Sequence, residues 1–196
     1  MKEYIIHGTT VKNLEDILNS KYIEANINNK NKGMLLDNSV NQIFTQLLYR
    51  NLPNENIQIP HWFDCAIILD KKILKDYPFY ATITGGFLND FNDAFINDDK
   101  QNIYGKGKGN LLRIPNLKNL KNYIENAMNK NILKSAQFMH SHEILFNKKI
   151  SLKKYCKLIV CSIPCDNIVK LANKLKIPVI TNVKVGLNNF MGLIEN

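Results

Sequence analysis

Two short stretches of this 196-residue chain combine residue types that can do chemistry. The first is His7-Gly8-Thr9, directly after the apolar run Tyr4-Ile5-Ile6. A glycine at a strand end lets a ligand approach the backbone closely and leaves its N–H and C=O unshielded. A histidine beside it can hydrogen-bond a ribose hydroxyl. As three bare residues, the corner also reads as a half-exposed His next to a turn glycine. The second stretch is residues 137–146, QFMHSHEILF. Strand alternation puts Phe138, His140, His142, Ile144 and Phe146 on one face, and Gln137, Met139, Ser141, Glu143 and Leu145 on the other. Glu143 is an ionisable group in an apolar run, where a carboxylate needs a partner or a task. The plain alternative is a strand-end glutamate that reaches solvent or pairs with a lysine.

The same strand offers a competing chemistry. His140 and His142 have an i, i+2 spacing used by metal sites, and His7, His61 or a cysteine could complete the set as in a metal-dependent hydrolase. The two chemistries use opposite faces of one strand. The histidine face carries Phe138, Ile144 and Phe146 and so reads as a packing face, and no metal site is assigned. Tyr104-Gly105-Lys106-Gly107-Lys108-Gly109-Asn110 lacks the order of a P-loop. It reads first as a solvated loop, with backbone N–H groups that could cup a phosphate, cover a cleft or touch a nucleic acid. Cys65, Cys156, Cys161 and Cys165 lack the paired C-x2-C of zinc ribbons and read as reduced, buried, small apolar residues. His61-Trp62 reads as an anchor at a strand entrance.

The elements that must position these residues follow from apolar spacing. Tyr4–Ile6 is a strand ending at His7-Gly8-Thr9. Thr9 or Thr10 can cap a helix with Val11, Leu14, Ile17 and Leu18 on one face, closed at Asn19-Ser20. The Asn-rich residues 26–32 read as a loop, and residues 43–49 fit a helix face nearly as well as a buried strand. FDCAIIL (63–69) and FYATIT (79–84) read as strands, 88–110 as a polar excursion, and 117–133 as a helix. Further strands are expected at 137–146, 158–162 and 177–181, with Pro164 in the first turn of a helix through Leu175. This mixture predicts one α+β domain, residues 1–196, with a mixed central sheet flanked by helices.

Composition sets the outer bounds. The chain is 45% apolar, has no run near the ~18 residues of a membrane span, and begins with a charged segment unlike an export signal. A cytoplasmic, intracellular protein with no membrane partner is expected. The net charge is +9, but only Arg50 and Arg113 are arginine, while asparagine appears 29 times. Readers of nucleic acid favour Arg for two-pronged recognition, so this charge points only loosely to a polyanion. It keeps open a non-catalytic basic module that binds nucleic acid or an acidic protein.

The opening YIIHGTTVKNLEDILNSKYIEAN resembles the first strand and helix of the ADP-ribosyltransferases, in which a strand-end H-G-T precedes an L-x-x-I-L helix. SHEILFNKKISLKKYCKLIVC is similar to the late acidic strand of that superfamily, closest in form to the Q-x-E strand of the toxin branch that modifies DNA. The likeness covers about 45 residues in two islands. It implies a split α+β fold that grips NAD, which serves as substrate, and transfer of ADP-ribose to a protein or nucleic-acid acceptor with loss of nicotinamide. It implies that His7 binds the adenosine-side ribose, that the Gly8 backbone binds the nicotinamide carboxamide, and that Thr9 belongs to the same cofactor-binding corner. Glu143 would hydrogen-bond the 2′-hydroxyl of the nicotinamide ribose. The family's stacking Tyr has Phe44-Thr45 of QIFTQL as its nearest counterpart, with Tyr80 as the other aromatic option. Ser141 stands where many relatives carry the Gln or Glu that orients the acceptor, which leaves the acceptor type open.

Overall fold

In the computed structural model, the described residues are 3–25, 42–49, 59–60, 63–82, 112–113, 116, 118–119, 122, 143–183 and 185–186. The chain divides into two compact units. One comprises Met1–Glu24, Thr45–Ile73 and Lys149–Asn196; the other comprises Ala25–Phe44 and Leu74–Lys148.

The first unit is built on β1 (Glu3–Thr9), which runs between β3 (Ile43–Tyr49) and β5 (Cys65–Asp70). Both neighbours are antiparallel to it. The register with β3 covers Glu3↔Tyr49 to Ile6↔Gln46; that with β5 continues through His7↔Ile67, Gly8↔Ala66 and Thr9↔Cys65. This pairing carries the strand through His7-Gly8-Thr9, where it ends as expected. It also makes residues 43–49 a strand. β5 is a continuous apolar run buried on both faces, as an interior strand should be. β10 (Cys156–Cys161) pairs antiparallel with β5, and β11 (Val179–Ile180) pairs parallel with β10, so the sheet is mixed.

Thr10 caps α1 (Val11–Ser20), its hydroxyl oxygen accepting the Asn13 N–H at 3.3 Å. Lys21 closes the helix in the left-handed conformation. Two very short strands, β4 (Ile59–Pro60) and β12 (Val185–Gly186), pair in parallel, and the short α2 (Ile73–Asp76) follows the end of β5. β2 (Tyr22–Ile23) pairs with β9 (Ile150–Ser151), which leads into the short α3 (Leu152–Tyr155). α4 (Asp166–Lys174) connects β10 to β11. Pro164 precedes the N-cap Cys165 instead of sitting in the first turn. α1 and α4 pack on each other, and Asn167 donates to Glu15 across them at 2.7 Å.

Cross-strand partners share a sheet face. Ile6, Ala66, Ile68, Leu158 and Val160 form a cluster on one face, with Tyr4, Phe63, Ile180 and Val183 packed against it. No residue of α1 or α4 belongs to that cluster. The opposite face carries Ile5, Ile67 and Ile159, all wholly buried. α1 and α4 each bury a stripe of their own, Leu14-Leu18 and Ile168-Ala172.

Asp70, at the end of β5, accepts the Lys72 N–H at 2.9 Å and pairs with Lys157 at 3.1 Å. Burial pushes its carboxyl up, but these two partners outweigh that and hold it below the usual carboxylate range. The folded pKa therefore lies under the unfolded one. The stability it contributes is full above the unfolded pKa of about 3.9 and is lost as pH falls through the folded value. Asp70→Asn should lower the Tm at neutral pH, and the gap to the parent should close in acid; thermal melts between neutral pH and pH ~2 check this.

The second unit contains β6 (Tyr80–Thr82), β7 (Leu112–Arg113) and β8 (Glu143–Phe146) in the order β8-β6-β7, both pairings antiparallel. Its core includes Phe79 against Phe146, with ring centroids 6.2 Å apart and planes at 52°. Helices together with a mixed sheet make the chain an α+β protein, as expected. Among the described residues no helix is long and apolar enough to cross a membrane. The expected loop at 26–32, His61-Trp62, the excursion 88–110 with its Gly-Lys run, most of the helix at 117–133 and residues 137–142 lie outside the described residues.

Candidate functional site

His7, Gly8 and Thr9 occupy the last three positions of β1, immediately before the capped start of α1. Their backbone path is fixed by the β5 register on one side and by the helix cap at the end. His7 shares a face with Ile5 and Thr9, while Gly8 shares the other with Ile6. His7 is half-buried and Thr9 buried. Thr45 is also buried and lies in the same unit.

Gly8 has a packing reason to be glycine. A Cβ built there would fall 2.3 Å from Phe63 Cδ2, 2.7 Å from Cε2 and 3.0 Å from Cγ. The Phe63 ring thus fills the space that a side chain would need. Gly8 is also paired in the strand register with Ala66 of β5. Sequence reasoning did not find Phe63, which stands at the edge of the expected 63–69 strand; the one available signal was an aromatic residue just ahead of a buried run.

The other four candidates fall in the second unit or outside the described residues. Glu143 opens β8, and the residues after it, Ile144, Leu145 and Phe146, are wholly buried. Glu143 itself is half-buried, with its Oε2 shut off from solvent. Pairing with β6 fixes its position: Thr82↔Glu143, Ala81↔Ile144 and Tyr80↔Leu145. Tyr80 therefore lies two positions along β6 from the residue that faces Glu143. Phe44 is half-buried on β3. Ser141, His140 and His142 lie outside the described residues.

Two cysteines distant in the sequence are brought opposite each other. Cys65 and Cys161 are register partners across β5 and β10, and both are buried; Cys165 is half-buried at the N-cap of α4. All four cysteines are free thiols. Burial pushes the isolated Cys156 thiol up to about 12, so it is inert at neutral pH. Among the described residues no group of three or more His, Cys, Asp or Glu is placed to hold a metal ion. No family model, curated protein or solved structure matches the chain.

Proposed function

We propose that the chain is an ADP-ribosyltransferase-like domain that uses NAD to transfer ADP-ribose to a macromolecular acceptor, protein or nucleic acid, releasing nicotinamide. The observation that carries this reading is Glu143, a carboxylate at the head of a strand that is otherwise wholly buried, with one oxygen secluded from solvent. Taking a carboxylate out of water carries a desolvation cost, and functional sites are among the places where such groups are kept.

NAD supplies the bond between a ribose carbon and a cationic nicotinamide leaving group. Breaking that bond spreads positive charge over the ribose ring, as in glycoside cleavage. The Glu143 carboxylate lowers the barrier by holding negative charge where that positive charge develops, and it anchors the neighbouring 2′-hydroxyl. Its strand pairing supports this role, because preorganised charge stabilises a transition state without moving. His7 hydrogen-bonds the adenosine-side ribose, and the Gly8 backbone holds the carboxamide. Thr9, Phe44, Thr45 and Tyr80 complete the nucleotide contacts, and Ser141 orients the acceptor. The rigid end of β1, fixed by β5 and by the Thr10 cap, supports the roles of His7 and Gly8.

The test is release of nicotinamide from NAD by the full chain, offered protein, DNA and RNA acceptors. Time-dependent release that rises with one acceptor class is the expected result. Release no faster than buffer with every class would overturn the proposal.

A further inference from the structure

We propose that the end of the first unit where β5 stops and β10 starts is a binding surface for the phosphate backbone of duplex nucleic acid. The inference does not rest on the NAD reading. This surface lies at the Glu3 end of β1, whereas His7, Gly8 and Thr9 lie at the other end, about 20 Å along the strand.

The net charge of the whole chain points only loosely to a polyanion, but the fold sorts that charge. Tyr4↔Asp70 and Cys156↔Leu69 put the start of β1, the end of β5 and the start of β10 at one end of the sheet. α1 begins beyond Thr9 and returns to this end, where the carbonyl of its C-cap Lys21 accepts the Leu152 N–H at 3.0 Å. α4 begins beyond Cys161 and returns in the same way, ending at Lys174 with Lys176 just before β11, which is parallel to β10. Among the described residues of the unit, this end carries nine lysines, all exposed, against the three carboxylates of Glu3, Glu24 and Asp70. The rest of the described unit has two lysines and four carboxylates, so the positive surplus sits wholly at this end.

Contacts join several of these lysines. Lys72 and Lys154 flank one ring, with Nζ atoms 5.7 and 4.9 Å from the Tyr155 centroid. Lys149 Nζ stands 4.5 Å from the Tyr22 centroid, and Tyr22 pairs with Ser151, two residues before Lys153. Lys71 pairs with Glu3 at 2.6 Å and Lys157 with Asp70 at 3.1 Å, which leaves the surplus in place.

The chemistry of the surface selects the partner. No arginine stands among these residues, and each ammonium is a point charge that meets a phosphate without reading a base edge. Among the described residues the one large apolar side chain that is exposed is Ile163, in the turn after Cys161 at the opposite end. A protein interface has an apolar or aromatic core, and stable membrane attachment adds an apolar anchor to a basic patch. Tyr155 is wholly buried and Tyr22 is half-buried beside its lysine, so neither ring is open for the bases of a single strand to stack on. A duplex backbone, with its dense and regular negative charge, fits a surface of this kind.

Fluorescence anisotropy of a labelled DNA duplex of about 20 base pairs, titrated with the full chain, tests the proposal. Two duplexes of unrelated sequence should bind equally. Affinity should fall about 10²–10³-fold between about 50 and 200 mM NaCl, as about four or five phosphate contacts require. Lys72→Gln with Lys153→Gln, both at exposed positions, should weaken binding and flatten the logarithmic salt slope by about two. Lys12→Gln with Lys170→Gln makes the same change in net charge at exposed positions outside this end, and should leave affinity and slope as in the parent. Thermal melts like the parent's confirm that both double variants are folded. No binding at the lower salt, affinity that ignores salt, or equal weakening by the two double variants would overturn the proposal. So would binding to polyglutamate, or to vesicles of equimolar phosphatidylserine and phosphatidylcholine, as tight as to the duplex.

Discussion

Glu143→Gln lowers nicotinamide release by about two to three orders of magnitude and leaves NAD affinity within a few-fold of the parent. The substitution keeps the shape and the hydrogen-bonding oxygen of the side chain but removes its charge. If that charge serves only the transition state, the loss falls on kcat and not on KM. Folding is little affected, because a neutral amide at a half-buried strand head is easier to bury than a carboxylate. Steady-state kinetics of both proteins, with thermal melts as the folding control, decide the matter. Equal rates for parent and Glu143→Gln would remove Glu143 from the chemistry.

The second large effect is on stability. Gly8→Ala destabilises the chain by about 1–3 kcal/mol, the usual cost of forcing extra volume into a packed site. The added methyl would meet the Phe63 ring at 2.3 Å, far inside the 3.5–4.0 Å of ordinary carbon contact. The ring cannot withdraw freely, because it packs on the cluster of Ile6, Ala66, Ile68, Leu158 and Val160. Shrinking the ring should relieve the clash, so Gly8→Ala with Phe63→Ala is less destabilised than the sum of the two single variants. Urea denaturation of the four proteins measures that coupling. Gly8→Ala as stable as the parent would show that Phe63 does not require the glycine.

Much of the fold was legible because local and tertiary preferences agree. The α1 helix announces itself through Thr10 and the spacing of Leu14 and Leu18, and β5 through an unbroken apolar run. Residues 43–49 were ambiguous because their apolar pattern fits both periods; pairing with β1 decides for a strand, and no local signal carries that information. The end of β1 likewise depends on a partner strand. Gly8 has the local look of a strand breaker, yet Ala66 and Cys65 of β5 extend the pairing past it. Elements of two residues, such as β2 and β9, have too little pattern to be seen before the partner is known.

The candidate site divides in the same way. His7, Gly8 and Glu143 were legible as residue types at strand ends, whereas Phe63 against Gly8 was not, because that contact joins residues distant in sequence. The cysteines show the limit most clearly. Read as separate small apolar residues, Cys65 and Cys161 are unremarkable members of two strands. The register between those strands makes them cross-strand neighbours.

The central claim is that this chain binds NAD through the His7-Gly8-Thr9 end of β1, and titration calorimetry tests it most directly. Saturable binding of NAD to the full chain, lost in a His7→Ala variant that melts like the parent, is the predicted result. No binding by the folded parent, or equal binding by parent and His7→Ala, would contradict it.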